Sequence, residues 1–128
     1  MKRATFLLVT AILAFPIGFM SLFFPNQMAE GFGVTATPMI LLLSRELGVF
    51  NLCTGGLNFL VRHHPDSGTL KAVLLYNLVY HAIMLLVNGY SLAQGAFTVG
   101  QAVLPVVFHL FIGIGSYYFV ARMRTTSN

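Results

Sequence analysis

Charge is what this chain lacks most. Only 8% of its 128 residues are Asp, Glu, Lys or Arg, and the acids number three: Glu30, Glu46 and Asp66. Soluble domains carry roughly a quarter charged residues, so a chain this poor in charge and 57% hydrophobic belongs to the membrane class. Tryptophan is absent, which leaves interfacial anchoring to Tyr and to some of the 12 Phe. Cys53 is the single cysteine, so no disulfide forms within the chain and cysteine usage says nothing of redox compartment. No Gly-rich phosphate loop, CxxC pair, HExxH or nucleophile elbow is present, and catalysis by those routes is without support. A formal net charge of +4 would point a soluble protein toward nucleic acid. Here the cations flank hydrophobic runs and report topology instead, so no nucleic-acid partner is expected.

What the chain does have is long apolar runs. Four are expected to span a bilayer, at about 5–24, 38–61, 72–92 and 101–121, each near the roughly 20 residues that hydrocarbon requires. Their continuity excludes a β-barrel, whose strands alternate. Met1-Lys2-Arg3 ahead of an apolar run also describes a secretory signal, but the near-spanning length and the missing A-x-A site argue for a retained first span. Pro16 and Gly18 inside that span predict a bend. Pro25 to Thr37 reads as a polar loop, Thr37-Pro38 as a capped helix start, and Arg62 to Gly68 as a turn. With four crossings, Lys2, Arg3, Arg62, Lys71, Arg122 and Arg124 all fall on one side, and the opposite loops hold no Lys or Arg. Cationic residues stay cytoplasmic during insertion, so both termini and the middle turn are expected there. The expected fold is one all-α domain over 1–128, an up-down-up-down four-helix bundle integral to the membrane.

The second run is unusual in carrying Arg45 and Glu46 side by side. An ion at membrane depth is by default a functional hypothesis. At 1.5 Å per residue, Arg45 and Glu46 lie roughly 10–12 Å from the non-cytoplasmic end of their helix, His109 about 13 Å and His81 about 16 Å. Four ionisable groups on three helices thus share the outer half of the membrane. Asn77, His81, Met84 and Asn88 recur as one stripe on the third helix, and Gln101, Pro105, His109 and Gly113 on the fourth. Ser44, Gly48, Asn51, Gly55 and Asn58 form a small-and-polar stripe on the second, of the kind that faces other helices. The candidate ligand-binding residues are therefore Arg45, Glu46, Asn77, His81, Asn88 and His109.

Several chemistries remain open for them. Arg45 can snorkel to headgroups; Glu46, on a shorter stem, is either protonated or held by a donor such as His109 or His81. The histidines read as structural glue, as metal ligands in an N2O set of His81, His109 and Glu46, as axial haem ligands, or as the lining of a site for a quinone or lipid. His63-His64 reads as a solvated pair, and Cys53 as a small packing residue. Partners beyond the bilayer are a second copy of the chain or a larger membrane complex.

The first span ending at Phe23-Phe24-Pro25, and Arg45-Glu46 followed by Gly48 and small residues, resemble the DoxX-like group of small four-helix bacterial membrane proteins. The likeness in architecture covers most of the chain; the motif lies in the second helix alone. That group is named for a subunit of a membrane thiosulfate:quinone oxidoreductase. The resemblance implies a bacterial plasma (inner) membrane location and a redox-linked accessory role, and carries no catalytic residue across. The functional expectation is a polar intramembrane site binding a small hydrophobic ligand, or such an accessory subunit. The alternative is an assembly subunit whose buried polar groups only specify helix packing.

Overall fold

A computed structural model describes residues 1–96 and 98–123. Arg124, counted above among the cations of one side, lies outside the described residues. These form five α-helices: α1 (Arg3–Phe23), α2 (Pro25–Gly31), α3 (Pro38–Val61), α4 (Gly68–Ala93) and α5 (Val99–Arg122). Among the described residues there is no strand. The four long helices, of 21, 24, 26 and 24 residues, are each long and apolar enough to cross a membrane. They rise about 32–39 Å, against a hydrocarbon core of about 30 Å.

The short α2 is the one element where a polar loop was expected. Pro25 at its first turn has no amide hydrogen to leave unpaired, and Asn26 to Glu30 tolerate helix. It stops at a left-handed glycine: Gly33 has φ 69°, its N–H donates to the Glu30 carbonyl at 2.9 Å, and Val34 N–H donates to the Ala29 carbonyl at 2.9 Å. That pair of bonds is a Schellman closure, which satisfies carbonyls the helix end leaves over. α4 ends the same way at Gly95, φ 71°, with Gly95 N–H to Leu92 and Ala96 N–H to Ser91.

The starts follow the capping chemistry of the sequence. Thr37 caps α3 by accepting from Ile40 N–H at 3.3 Å, with Pro38 behind it. Ser67 caps α4 from Leu70 N–H at 3.2 Å, so that helix begins at Gly68, earlier than expected. Thr98 and Gln101 form a capping box that starts α5 at Val99. Gln101 was expected on an interior stripe; its side chain is taken up by the cap, accepting from Thr98 N–H at 2.9 Å.

The chain divides into two compact units, Met1–His63 and His64–Asn128. In the first, α1 and α3 run antiparallel at very close range. A Cβ placed on Gly48 would lie 2.6 Å from Leu22 N and 2.9 Å from Gly18 O; one on Gly55 would meet Ala14 Cβ at 3.1 Å. Ser44 Oγ donates to the Ser21 carbonyl at 3.3 Å across the same seam. Ala11, Ala14, Gly18 and Ser21 are buried on α1, and Gly48, Gly55 and Asn58 on α3. Small residues let backbones approach where no hydrophobic force drives helices together in lipid. Gly18 therefore serves packing, and α1 runs unbroken through Pro16. Asn51, the remaining member of the α3 stripe, is half-buried and bonds back to the Leu47 carbonyl.

The second unit is the α4–α5 hairpin. Leu70, Val73, Leu74, Asn77, His81 and Asn88 are buried on α4; Ala102, His109, Ile112, Gly113 and Ser116 on α5. Gly113 takes its place at the seam, where an added Cβ would touch His81 Cβ at 3.8 Å. Cations sit at helix ends over aromatic rings: Arg62 lies 3.6 Å from the Phe59 ring centre and Arg122 4.3 Å from that of Tyr118. Both contacts fit the amphipathic boundary of a bilayer.

Candidate functional site

The strongest polar feature lies within the α4–α5 hairpin. His81 Nδ1 and His109 Nδ1 are 2.7 Å apart, a hydrogen bond between two imidazoles that are 3% and 7% exposed. The 3.6-residue repeat puts His81 on the Asn77–Asn88 stripe of α4 and His109 on the Ala102–Ser116 stripe of α5; the two stripes face each other. A nitrogen-to-nitrogen contact this short needs one proton between the two atoms. Two bare lone pairs, or two N–H groups, would repel. One ring therefore donates from Nδ1 and the other accepts there.

Aromatic rings wall the pair. Tyr80 stands edge-on to His81 at 5.0 Å and to His109 at 6.3 Å between ring centres, and Phe108 closes on His81 at 5.6 Å. Tyr80 in turn stacks on Tyr76 at 6.2 Å with the ring planes 11° apart. On the outer side of these tyrosines runs an open apolar groove of about 560 Å³, lined by Ala72, Leu75, Tyr76, Val79, Tyr80 and Ile83. Tyr80 thus touches the groove on one side and the imidazoles on the other. From sequence, Tyr76 and Tyr80 form an i, i+4 pair that could donate to a ligand or equally pack, and stand outside the candidate set; Phe108 is not singled out, its only signal being adjacency to His109.

The Nε2 atoms are the chemically open ends. Among the described residues, neither His81 nor His109 has a hydrogen-bond partner other than the other ring. When both rings are neutral, the ring that donates from Nδ1 keeps an accepting lone pair on Nε2, and the ring that accepts carries its hydrogen on Nε2. The pair therefore presents one acceptor and one donor at its two Nε2 ends.

Of the other expected site residues, Asn77 and Asn88 are buried on the same α4 stripe, Asn77 fully and Asn88 at 6% exposure. Asn88 Nδ2 has no partner among the described residues. Arg45 and Glu46 belong to the other unit, on α3. Both are exposed on α3, and among the described residues neither has a hydrogen-bond or ion-pair partner. For Glu46 the physical reason is rotational. At 100° per residue Glu46 lies about 180° from Gly55 and about 160° from Gly48, the glycines pressed against α1. Cys53, expected as a packing residue, is exposed as well.

The metal readings meet a geometric obstacle. Among the described residues no three His, Cys, Asp or Glu side chains gather as a metal-binding group, so the set of His81, His109 and Glu46 does not form. Two imidazole nitrogens on one tetrahedral zinc stand about 3.3 Å apart, and two axial nitrogens across an iron about 4 Å, from metal–nitrogen bonds near 2 Å. At 2.7 Å the Nδ1 atoms have closed on each other instead. The turn histidines are engaged locally: His64 Nδ1 lies 3.1 Å from the Pro65 carbonyl and 3.3 Å from Ser67 Oγ.

No protein-family model, curated protein or solved structure matches this chain.

Proposed function

We propose that this is a small polytopic membrane protein that binds a hydrophobic ligand with a polar head, of quinone or lipid type, at the His81–His109 pair. The observation that carries the reading is the 2.7 Å bond between two buried imidazoles whose Nε2 atoms have no partner among the described residues. Neither Nε2 is among the buried unpaired atoms, so each keeps an accessible edge at which a ligand can donate or accept. A quinone carbonyl accepts from the Nε2–H end; a quinol hydroxyl donates to the other. The groove beside Tyr76 and Tyr80 is apolar enough to hold a hydrocarbon tail.

In this proposal the four long helices cross a bacterial inner membrane as an up-down-up-down bundle. Both termini and the α3–α4 turn are cytoplasmic, in line with the one-sided placement of Lys2, Arg3, Arg62, Lys71 and Arg122. The likeness of Arg45-Glu46-x-Gly48 to the DoxX-like pattern adds a redox-linked complex as the setting.

The test is extraction of bound lipids and quinones from detergent-purified protein, followed by titration with a short-chain ubiquinone. Saturable binding is expected, weakened roughly tenfold in His81→Phe and in His109→Phe, since a lost hydrogen bond of about 1–1.5 kcal/mol corresponds to that factor. Absence of saturable binding, or binding indifferent to both substitutions, sinks the proposal.

A second reading has its own support. The same bond joins α4 to α5 and satisfies both Nδ1 atoms, as an assembly subunit with packing histidines requires. Under that reading the variants lose stability and no ligand is found.

A further inference from the structure

The face of α3 turned away from α1 is the other place where chemistry and structure disagree. Among the described residues, Lys71 sits in the first turn of α4 and Arg3 and Arg122 at helix ends, so only Arg45 and Glu46 put charge farther into a long helix. They lie about 10 and 12 Å along α3 from Pro38, deep in hydrocarbon if α3 spans. Both are exposed and unpaired among the described residues. As neighbours in sequence they point about 100° apart and do not face each other. An exposed carboxylate and guanidinium at that depth are unfavourable unless something covers them.

Exposed apolar residues surround Glu46, Leu43 and Leu47 among them, and one line through Glu46 runs at coiled-coil spacing. Met39, Leu42, Glu46, Val49, Cys53 and Leu60 follow a strict heptad alternation of a and d positions. The apolar members are strongly exposed: Met39 62%, Leu42 50%, Val49 50% and Leu60 77%. Gly56, the remaining d position, has open space where its Cβ would be. Glu46 occupies an a position and Arg45 the g position before it. In a parallel pair of helices the a residue of one strand inserts beside the partner's a and g residues.

We propose that a second copy of this chain covers α3, forming a parallel two-fold dimer in which Arg45 of each copy pairs with Glu46 of the other. Charge complementarity selects this occupant. A two-fold axis along the membrane normal keeps each residue at its own depth and makes the contact reciprocal, so adjacent opposite charges on one strand become two ion pairs. A single polar a position is also a known device for fixing register and strand number. The inference is independent of the histidine site, which lies in the other unit.

Cys53 supplies the probe, because it is exposed at the a position one heptad beyond Glu46 and is the single cysteine. Full-length protein in native membranes is treated with a short bis-maleimide, with Cys53→Ser as the blank. A covalent dimer is expected from the wild type, and a two-chain mass from gently solubilised protein in native mass spectrometry. Arg45→Glu and Glu46→Arg, each placing like charges face to face, should abolish both signals. The exchanged pair Arg45→Glu/Glu46→Arg should restore them, which separates a lost contact from a chain that failed to insert. A monomeric wild type, a heteromer with another protein in place of the dimer, single variants that cross-link like wild type, or an exchanged pair that stays monomeric each overturn the proposal.

Discussion

Gly48→Ala is the smallest change that should damage this fold. Its new methyl carbon would sit 2.6 Å from Leu22 N and 2.9 Å from both Leu22 Cα and Gly18 O. Carbon needs about 3.5 Å from such atoms, so α1 and α3 must separate by roughly 0.9 Å at their closest point. The obstacle is backbone, which cannot rotate aside as a side chain can. Overpacking of this kind costs about 1–3 kcal/mol, and the better helix propensity of alanine returns up to about 1 kcal/mol. The net loss expected is about 1–2 kcal/mol, a factor of roughly 5–30 in the folded-to-unfolded ratio. Gly89→Ala is the matched control, since nothing lies within 4 Å of the position its Cβ would take. Unfolding in mixed detergent–SDS micelles, followed by circular dichroism, measures both. Gly18→Ala should fall between them: one of its contacts is the movable Leu52 Cγ at 2.8 Å, the others backbone at 3.0 Å. If Gly48→Ala unfolds at the same SDS fraction as wild type and Gly89→Ala, the close α1–α3 approach is wrong.

Three further outcomes can be checked on the same material. Imidazole ¹⁵N spectra should show the two bonded Nδ1 atoms in opposite states, one protonated and one not, with coupling across the bond; two rings in the same tautomer contradict the pair. In a double-mutant cycle, His81→Phe and His109→Phe should each cost about 1–3 kcal/mol, because each strands the other ring, and the double variant should cost less than their sum. Gly95→Ala, at φ 71°, should lose about 1–2 kcal/mol by SDS unfolding, whereas Gly100→Ala should lose nothing.

The four long helices were legible because an apolar run near 20 residues that is to cross a bilayer has to be a helix, the backbone finding no water there. Thr37-Pro38 was readable as a start because a hydroxyl cap and a proline without N–H solve the same problem from two sides. The helix α2 was missed for a complementary reason. Proline, asparagine and glycine mark loops by composition, yet Pro25 at a first turn and Gly33 past a last turn are also how a helix begins and ends. Composition cannot separate those uses; position relative to the hydrogen-bond pattern can. Gln101 is a similar case: its side chain had a cap three residues back within reach, a local bond that competes with any longer-range role.

For the candidate site, depth was the weaker guide and angle the stronger. Arg45, Glu46, His81 and His109 share a depth by residue count, but only His81 and His109 lie on stripes that continue above and below them in buried residues. Glu46 lies about 160–200° from Ser44, Gly48 and Gly55, so the residues that identified an interior face on α3 also put Glu46 on the outside of it. That contradiction was present in the spacing. Its resolution separates two uses of polarity in one chain. Two neutral imidazoles can share a proton inside a hairpin because their hydrogen bond needs no counter-charge. A full charge cannot be treated that way when the only acid in any long helix, Glu46, stands next to its only deep base, Arg45, and turned from it. In the proposed dimer the two charges find each other on a second copy of the chain, and the exchanged Arg45–Glu46 pair tests that.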